Sequence, residues 1–251
     1  MRRAAFALGA RRGAGRAMTA ALIETRALGK SFGPTPVLRD VNLSVEAGRG
    51  AAVIGANGAG KSTLIALLAG LSAATSGGAM LFGEPARALA PVFRRRVGLL
   101  SHQSFVYPNL TARENLEFYA ALYGVGDARA AAAQWLDRVA LAGAADARVR
   151  GFSRGMEQRL AIARAMLARP DVLLLDEPFA ALDADGATLA AALVREAIGR
   201  GCAVVASAHS ASAMEQMGFA VFTLSRGRLV PGDASAARQS PPRPSLARQV
   251  S

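Results

Sequence analysis

Gly55-Ala56-Asn57-Gly58-Ala59-Gly60-Lys61-Ser62, followed by Thr63, is the stretch on which the reading of this chain turns. It fits the pattern G-x-x-x-x-G-K-[ST] at every position. The apolar segment Ala51–Ile54 before it reads as a buried strand, and TLIALLAGL after it reads as a helix. That strand–loop–helix context gives the pattern its meaning. Gly55, Gly58 and Gly60 let the backbone curl so that several amides point inward at phosphate oxygens. The helix adds the positive end of its dipole. Lys61 supplies a charge for the β and γ phosphates of a nucleotide, and Ser62 an oxygen for magnesium. Asn57 and Thr63 belong to the same candidate phosphate-binding stretch.

A second segment, Val172-Leu173-Leu174-Leu175-Asp176-Glu177, is an apolar strand that ends in two carboxylates. Taken alone, Asp176-Glu177-Pro178 would serve as a helix cap. Beside a phosphate loop, Asp176 is expected to hold magnesium through water, and Glu177 to polarise the attacking water as general base.

The bulk properties suit such an enzyme. The chain has 251 residues, enough for one large domain or two small ones, and 52 % of them are apolar. Mean hydropathy is +0.24, and alanine accounts for much of it. No apolar run reaches the roughly 18 residues needed to cross a bilayer. If the protein works at a membrane, another chain supplies the spanning helices. The net charge of +12 invites a nucleic-acid reading, but its distribution argues against one. Arg2, Arg3, Arg11, Arg12 and Arg16 precede the first acid, Glu24, and Arg238, Arg243 and Arg248 lie in a Pro/Ser-rich tail. The rest are scattered as on a solvated surface. Attraction to anionic lipid headgroups is a third reading. The only lysines are Lys30 and Lys61, so a chain that otherwise uses arginine keeps a lysine in its phosphate loop. Cys202, the only cysteine, lies in the apolar run CAVVASA and reads as a small buried hydrophobe; a reducing cytoplasm fits.

Residues 1–19 are expected to form a flexible basic extension, residues 20–230 one domain, and residues 231–251 a disordered Pro/Ser/Arg tail. Strand-like segments Ile23–Leu28, Val41–Val45 and Ala51–Ile54 open the domain. Val172–Leu175, Ala203–Ala206 and Ala220–Leu224 alternate with helix later, which implies a parallel α/β sheet. Thr111-Ala-Arg-Glu114 is a capping box opening a helix that carries Leu116, Phe118, Tyr119 and Leu122. Trp135 is expected in the core.

Phosphate loop and acid pair together mean a P-loop NTPase. Five further segments narrow it. Phe152-Ser153-Arg154-Gly155-Met156 and the following EQRLAIARAML resemble the signature of the ATP-binding cassette (ABC) family, usually written LSGGQ. Gln103 lies where that family has its Q-loop, Ala180-Ala181-Leu182-Asp183 resembles the D-loop, and His209 follows an apolar strand as the switch histidine does. Phe32 matches the aromatic that stacks on adenine. The resemblance covers about residues 22–230. It implies an α/β fold: a P-loop core, an antiparallel β subdomain, and a helical subdomain at about 104–165. It also implies ATP and Mg2+ as ligands and a dimer of nucleotide-binding domains. Phe32 would stack on adenine, and Gln103 would contact magnesium and sense a transmembrane partner. Ser153 and Gly155 would bind the γ-phosphate held by the other subunit. Asp183 would couple the two sites, and His209 would hold the γ-phosphate and orient the water. Arg154 and Met156 depart from the signature, which puts the role of the usual glutamine in doubt. His102 reads as a loop residue.

Two function classes compete. The first is the ATPase subunit of a membrane exporter, bound peripherally to integral permease subunits at the cytoplasmic face of a bacterial inner membrane. The second is a soluble ABC assembly ATPase. A P-loop small-molecule kinase would explain neither the signature nor the D-loop. HQSFVYPNLTARENLEFYAALYG and FSRGMEQRLAIARAML are similar to the ATP-binding subunit of the bacterial heme exporter of cytochrome c maturation. Exporters of drugs, lipids or polysaccharides share parts of this pattern.

Overall fold

A computed structural model describes residues 21–232. The expected extension at 1–19 lies outside the described residues, as does the expected tail at 231–251 except for its first two residues, of which Pro231 ends a strand rather than opening a disordered tail because it pairs with Phe222. The described residues open with a long hairpin, β1 (Ala21–Phe32) and β2 (Thr35–Glu46). It continues through β3 (Gly50–Ile54), helix α1 (Lys61–Leu68), β4 (Ser76–Leu81) and the short β5 (Glu84–Pro85). A single turn, α2 (Pro91–Arg94), precedes β6 (Val97–Leu100). Between β6 and the next strand the chain is mainly helical: α3 (Ala112–Tyr123), α4 (Ala128–Arg138) and α5 (Arg154–Met166). Then β7 (Val172–Asp176), α6 (Ala184–Gly199), β8 (Ala203–Ala208), α7 (Ala211–Gln216), β9 (Ala220–Ser225) and β10 (Arg228–Pro231) follow.

The strands form two sheets. The first is antiparallel, ordered β2-β1-β4-β5; the second is ordered β10-β9-β3-β8-β7-β6 and is parallel except at β10. Near-continuous apolar runs such as Val172–Leu175 and Ala203–Ala206 occur because the parallel sheet is covered on both faces. Alternate residues divide between two cores. Leu173, Leu175, Val204 and Ala206 pack with α3–α6, whereas Val172, Leu174, Ala203 and Val205 pack with α1 and the antiparallel sheet. Fully burying one such Leu or Val contributes about 1.5–3 kcal/mol.

The capping box forms in full: Glu114 N–H donates to Thr111 Oγ1, and Thr111 N–H donates to the Glu114 carboxylate. Leu116 and Tyr119 of α3 and Trp135 of α4 are buried, while Phe118 and Leu122 of α3 face solvent. Gly98 lets β6 meet α5, because a Cβ there would come within 2.2 Å of the Ala165 carbonyl oxygen. Among the described residues, no helix is long and apolar enough to cross a membrane.

Strand order positions the chemistry. β8 lies between β3 and β7, all three parallel, so the ends of these strands emerge at one edge of the sheet. Ile54 pairs with Ala208, and Asp176 with Ser207. The phosphate loop, the acid pair and His209 therefore leave the sheet side by side, at the carboxyl edge where open α/β sheets bind ligands.

Candidate functional site

The loop after β3 wraps from Gly55 to Gly60, and α1 begins at Lys61. Gly60 sits at the N-cap with φ +105, a left-handed backbone that L side chains rarely adopt, and a Cβ there would lie 2.9 Å from Val37 Cγ1. Lys61 is 5 % exposed. Its ammonium donates to the carbonyls of Gly55 (2.9 Å) and Ala56 (3.2 Å), so the loop cradles its own cation. A cavity of about 290 Å³ opens here, lined by Val37, Asn57, Gly58, Gly60, Lys61, Ser62, Thr63 and Glu177.

Asp176 ends β7 almost completely buried. Its Oδ1 accepts from Ser207 Oγ at 2.6 Å, and the same Oγ accepts from Glu177 N–H at 2.9 Å. One fully buried hydroxyl on the neighbouring strand thus fixes both acids. Glu177 has φ 51, a left-handed conformation costly for a non-glycine residue. Ser207 holds its amide, and Gln158 Nε2 steadies the following turn by donating to the Pro178 carbonyl at 3.1 Å. Glu177 Oε1 lies 2.9 Å from His209 Nε2, directly past the end of β8.

A neighbouring cavity of about 370 Å³ has Asp176 and Glu177 on one side and Ser101, His102, Ser104, Arg154, Glu157 and Gln158 among its other walls. Gln103 is not among them. Ser101 Oγ donates to the Gln103 carbonyl at 2.8 Å, closing a turn that leaves the Gln103 side chain exposed. His102 does line this cavity.

Other expected residues lie apart. Ser153 is the N-cap of α5, accepting from Met156 N–H at 3.2 Å, and neither it nor Gly155 lines the phosphate cavity. Gly155 abuts the loop after β7, where a Cβ would lie 3.1 Å from the Ala181 carbonyl oxygen. Asp183 caps α6, its Oδ1 accepting from Gly186 N–H at 2.8 Å. Phe32 is 57 % exposed, outside the phosphate cavity, with Lys30 Nζ 4.8 Å from its ring centroid. One chain therefore gathers Asn57, Gly58, Gly60, Lys61, Ser62, Thr63, Asp176, Glu177 and His209. It leaves Phe32, Gln103, Ser153, Gly155 and Asp183 outside.

Ser207 and Gln158 escape sequence reading, since a serine in an alanine-rich strand and a glutamine in a helix carry no local mark. The register Asp176↔Ser207 is the signal that finds the first.

Ser62 and Asp176 offer oxygen donors only, which suits a hard cation. Among the described residues no group of three or more His, Cys, Asp or Glu side chains gathers to hold a metal. The donor set thus fits an ion completed by phosphate oxygens rather than one caged by protein.

A family model described as "ABC transporter" matches residues 38–180, more than half of the chain. The chain belongs to the ABC transporter family as its ATPase. The cassette is 34 % identical over 222 residues to a Nod factor export ATP-binding protein I of Paraburkholderia xenovorans, covering 88 % of this chain and 73 % of the relative. It is 41 % identical over 182 residues to the molybdenum import ATP-binding protein ModC of Mycobacterium tuberculosis, covering 68 % and 49 %. A solved dimeric ATP-binding cassette in a post-hydrolysis state, bound to ADP and Pi, superposes with a TM-score of 0.76 at 26 % identity, over 82 % of this chain and 96 % of that one. The narrower resemblance to the heme exporter subunit finds no support among these relatives, which are named for Nod factor export and molybdenum import.

Proposed function

We propose that the cassette hydrolyses Mg-ATP within a head-to-tail dimer and powers a membrane exporter from the cytoplasmic face of a bacterial inner membrane. The observation that carries the dimer is the separation within one chain. Lys61 and Ser62 line the phosphate cavity, whereas Ser153 and Gly155 lie outside it. A second copy brings its Ser153 and Gly155 to the γ-phosphate across the interface, and Asp183 links the two sites.

The residues then act as follows. Phe32 stacks on adenine. Lys61 exchanges the Gly55 and Ala56 carbonyls for phosphate oxygens, and the loop amides hold the rest. Ser62 and Asp176 would hold magnesium, with Gln103 at the edge, and the bound ion would supply positive charge against the phosphates. Glu177 polarises the attacking water, and His209 moves from Glu177 to the γ-phosphate. ATP closes the dimer and hydrolysis reopens it.

Phe105, Tyr107, Phe118 and Leu122 support a permease partner. They are 40–64 % exposed, none lines the cavity of Asp176 and Glu177, and Tyr107 and Phe118 pack edge to face at 5.2 Å. Export is the reading taken because the likeness to the Nod factor export relative runs over 88 % of this chain, and that to the import relative over 68 %. Heme is one candidate cargo beside drugs, lipids and polysaccharides, since the cargo touches the permease and not this chain.

The Glu177→Gln protein tests the reading. ATP should trap it as a dimer, with hydrolysis lowered about 100-fold or more. Wild-type hydrolysis would overturn the base assignment. Purified from detergent-solubilised membranes with Mg-ATP, it should bring multi-span subunits with it. Cytochrome c maturation proteins alongside them would identify heme export, and another permease a different cargo. Recovery with no membrane partner would favour the soluble assembly ATPase.

A further inference from the structure

Arg164, in the last turn of α5, is a buried charge that the mechanism above leaves unused. It is 4 % exposed and forms no ion pair among the described residues. Its Nη2 donates to the Leu99 carbonyl at 2.6 Å, and its Nε has no partner. The guanidinium lies 5.5 Å from the centroid of Phe105 and 5.3 Å from that of Tyr119. Tyr119 in turn donates its hydroxyl to the Phe105 carbonyl. Phe105 has φ 53, a strained backbone for an aromatic residue.

These contacts converge on one loop. Its near end leaves β6, where Arg164 grips Leu99. Its middle supplies Ser101, His102 and Ser104 to the cavity of Asp176 and Glu177. Its far end is tied to α3, because Tyr107 N–H donates to Asn115 Oδ1 and Asn115 Nδ2 donates back to the Tyr107 carbonyl. Phe105 lies between, with one side against Arg164 and 40 % of its surface open. An unpaired buried guanidinium is costly, and a well-packed apolar side chain would fill the space at less cost. A single strained conformation of the loop is what the charge obtains, through one carbonyl and two ring faces.

We propose that Arg164 is a positioning residue: it clamps loop 101–107 so that Ser101, His102 and Ser104 face the carboxylates while Phe105 faces outward. The carboxylates' role in this rests on the proposed function.

Arg164→Met and Arg164→Lys in the full chain test it. Hydrogen exchange of amides 101–107 is measured without nucleotide, beside thermal melting, kcat and KM for Mg-ATP. In Arg164→Met, loop exchange should rise at least tenfold while β7 and β8 stay protected. Its kcat should fall about tenfold and KM should change less than kcat, since Ser101, His102 and Ser104 border the carboxylates and no residue of this loop lines the phosphate cavity. Arg164→Lys, which keeps the charge, should recover part of both. Phe105→Ala removes one ring from a partly exposed site and guards against a failure to fold; it should move both readings the same way, severalfold. Unchanged loop exchange and kcat in these variants overturns the proposal, and so does a uniform loss of protection with a lowered melting temperature. If the native cassette hydrolyses no ATP, the proposed function fails, and loop exchange alone decides the part of Arg164.

Discussion

Ser207 shows how much one hydroxyl can organise. It donates to Asp176 and accepts from the Glu177 amide, with no surface exposed to water. Ser207→Ala leaves a buried carboxylate oxygen and an amide without that partner, a loss of about 1–3 kcal/mol. Denaturant unfolding should show this loss, and ATP hydrolysis should fall more than ATP binding, because the phosphate cavity does not include Ser207. Cys202 gives a second test at this scale. Burial, with Asp171 nearby, pushes its thiol up to about 12. A raised acid pKa means that the native state favours the protonated thiol. The stabilisation is complete below the unfolded value near 9.0 and is lost as pH climbs toward 12. Cys202→Ala should flatten the decline of stability over that window, and the native thiol should resist alkylation at neutral pH until the protein unfolds. The burial was legible from the run CAVVASA; the paired duty of Ser207 was not, because it depends on which strand lies beside β7.

At the scale of elements, the start of α3 was legible. Its capping box is local chemistry, set by two side chains three positions apart. Thr111→Ala should cost about 1 kcal/mol and lower the melting temperature by a few degrees. The Thr111 backbone amide and hydroxyl hold Glu114 below the usual carboxylate range. The reciprocal bond is therefore present above the unfolded carboxylate value and lost as pH falls through the lowered one. Calorimetry of Glu114→Ala and the native chain across the acid range should show the two curves converging, because the bond that titrates is the one the Glu114 carboxylate accepts. The loop after β6 was less legible. His102 lines the cavity beside the acids and Gln103 does not, and the Ser101 hydroxyl donates to the Gln103 carbonyl in that turn. A one-residue change of facing depends on the turn's geometry, which no periodicity encodes.

At the scale of the whole molecule, the proposed dimer predicts complementation. Lys61→Ala destroys one copy's phosphate cavity, and Ser153→Arg blocks one copy's signature. Each variant alone should be inactive. Mixed, they form a head-to-tail dimer with one intact site, built from the Lys61 of one chain and the Ser153 of the other. Hydrolysis should return in the mixture, and a mixture as inactive as its components would exclude a shared site. The departure of Arg154 and Met156 from the usual signature does not disturb its frame, since Ser153 still caps α5 and Gly155 still meets the loop after β7.

The phosphate loop, the acid pair, the buried strands and the cap of α3 were determined by the sequence alone, because each is a short-range match between residue type and backbone or ligand. The tertiary structure decided the rest. It set β8 between β3 and β7, so that Ser207 and His209 reach the acids, and it buried Arg164 against two rings. It also placed the signature away from the phosphate cavity of its own chain. Those outcomes depend on strand order and on how helices cover the sheet, and residues far apart in the chain meet only when the two cores pack.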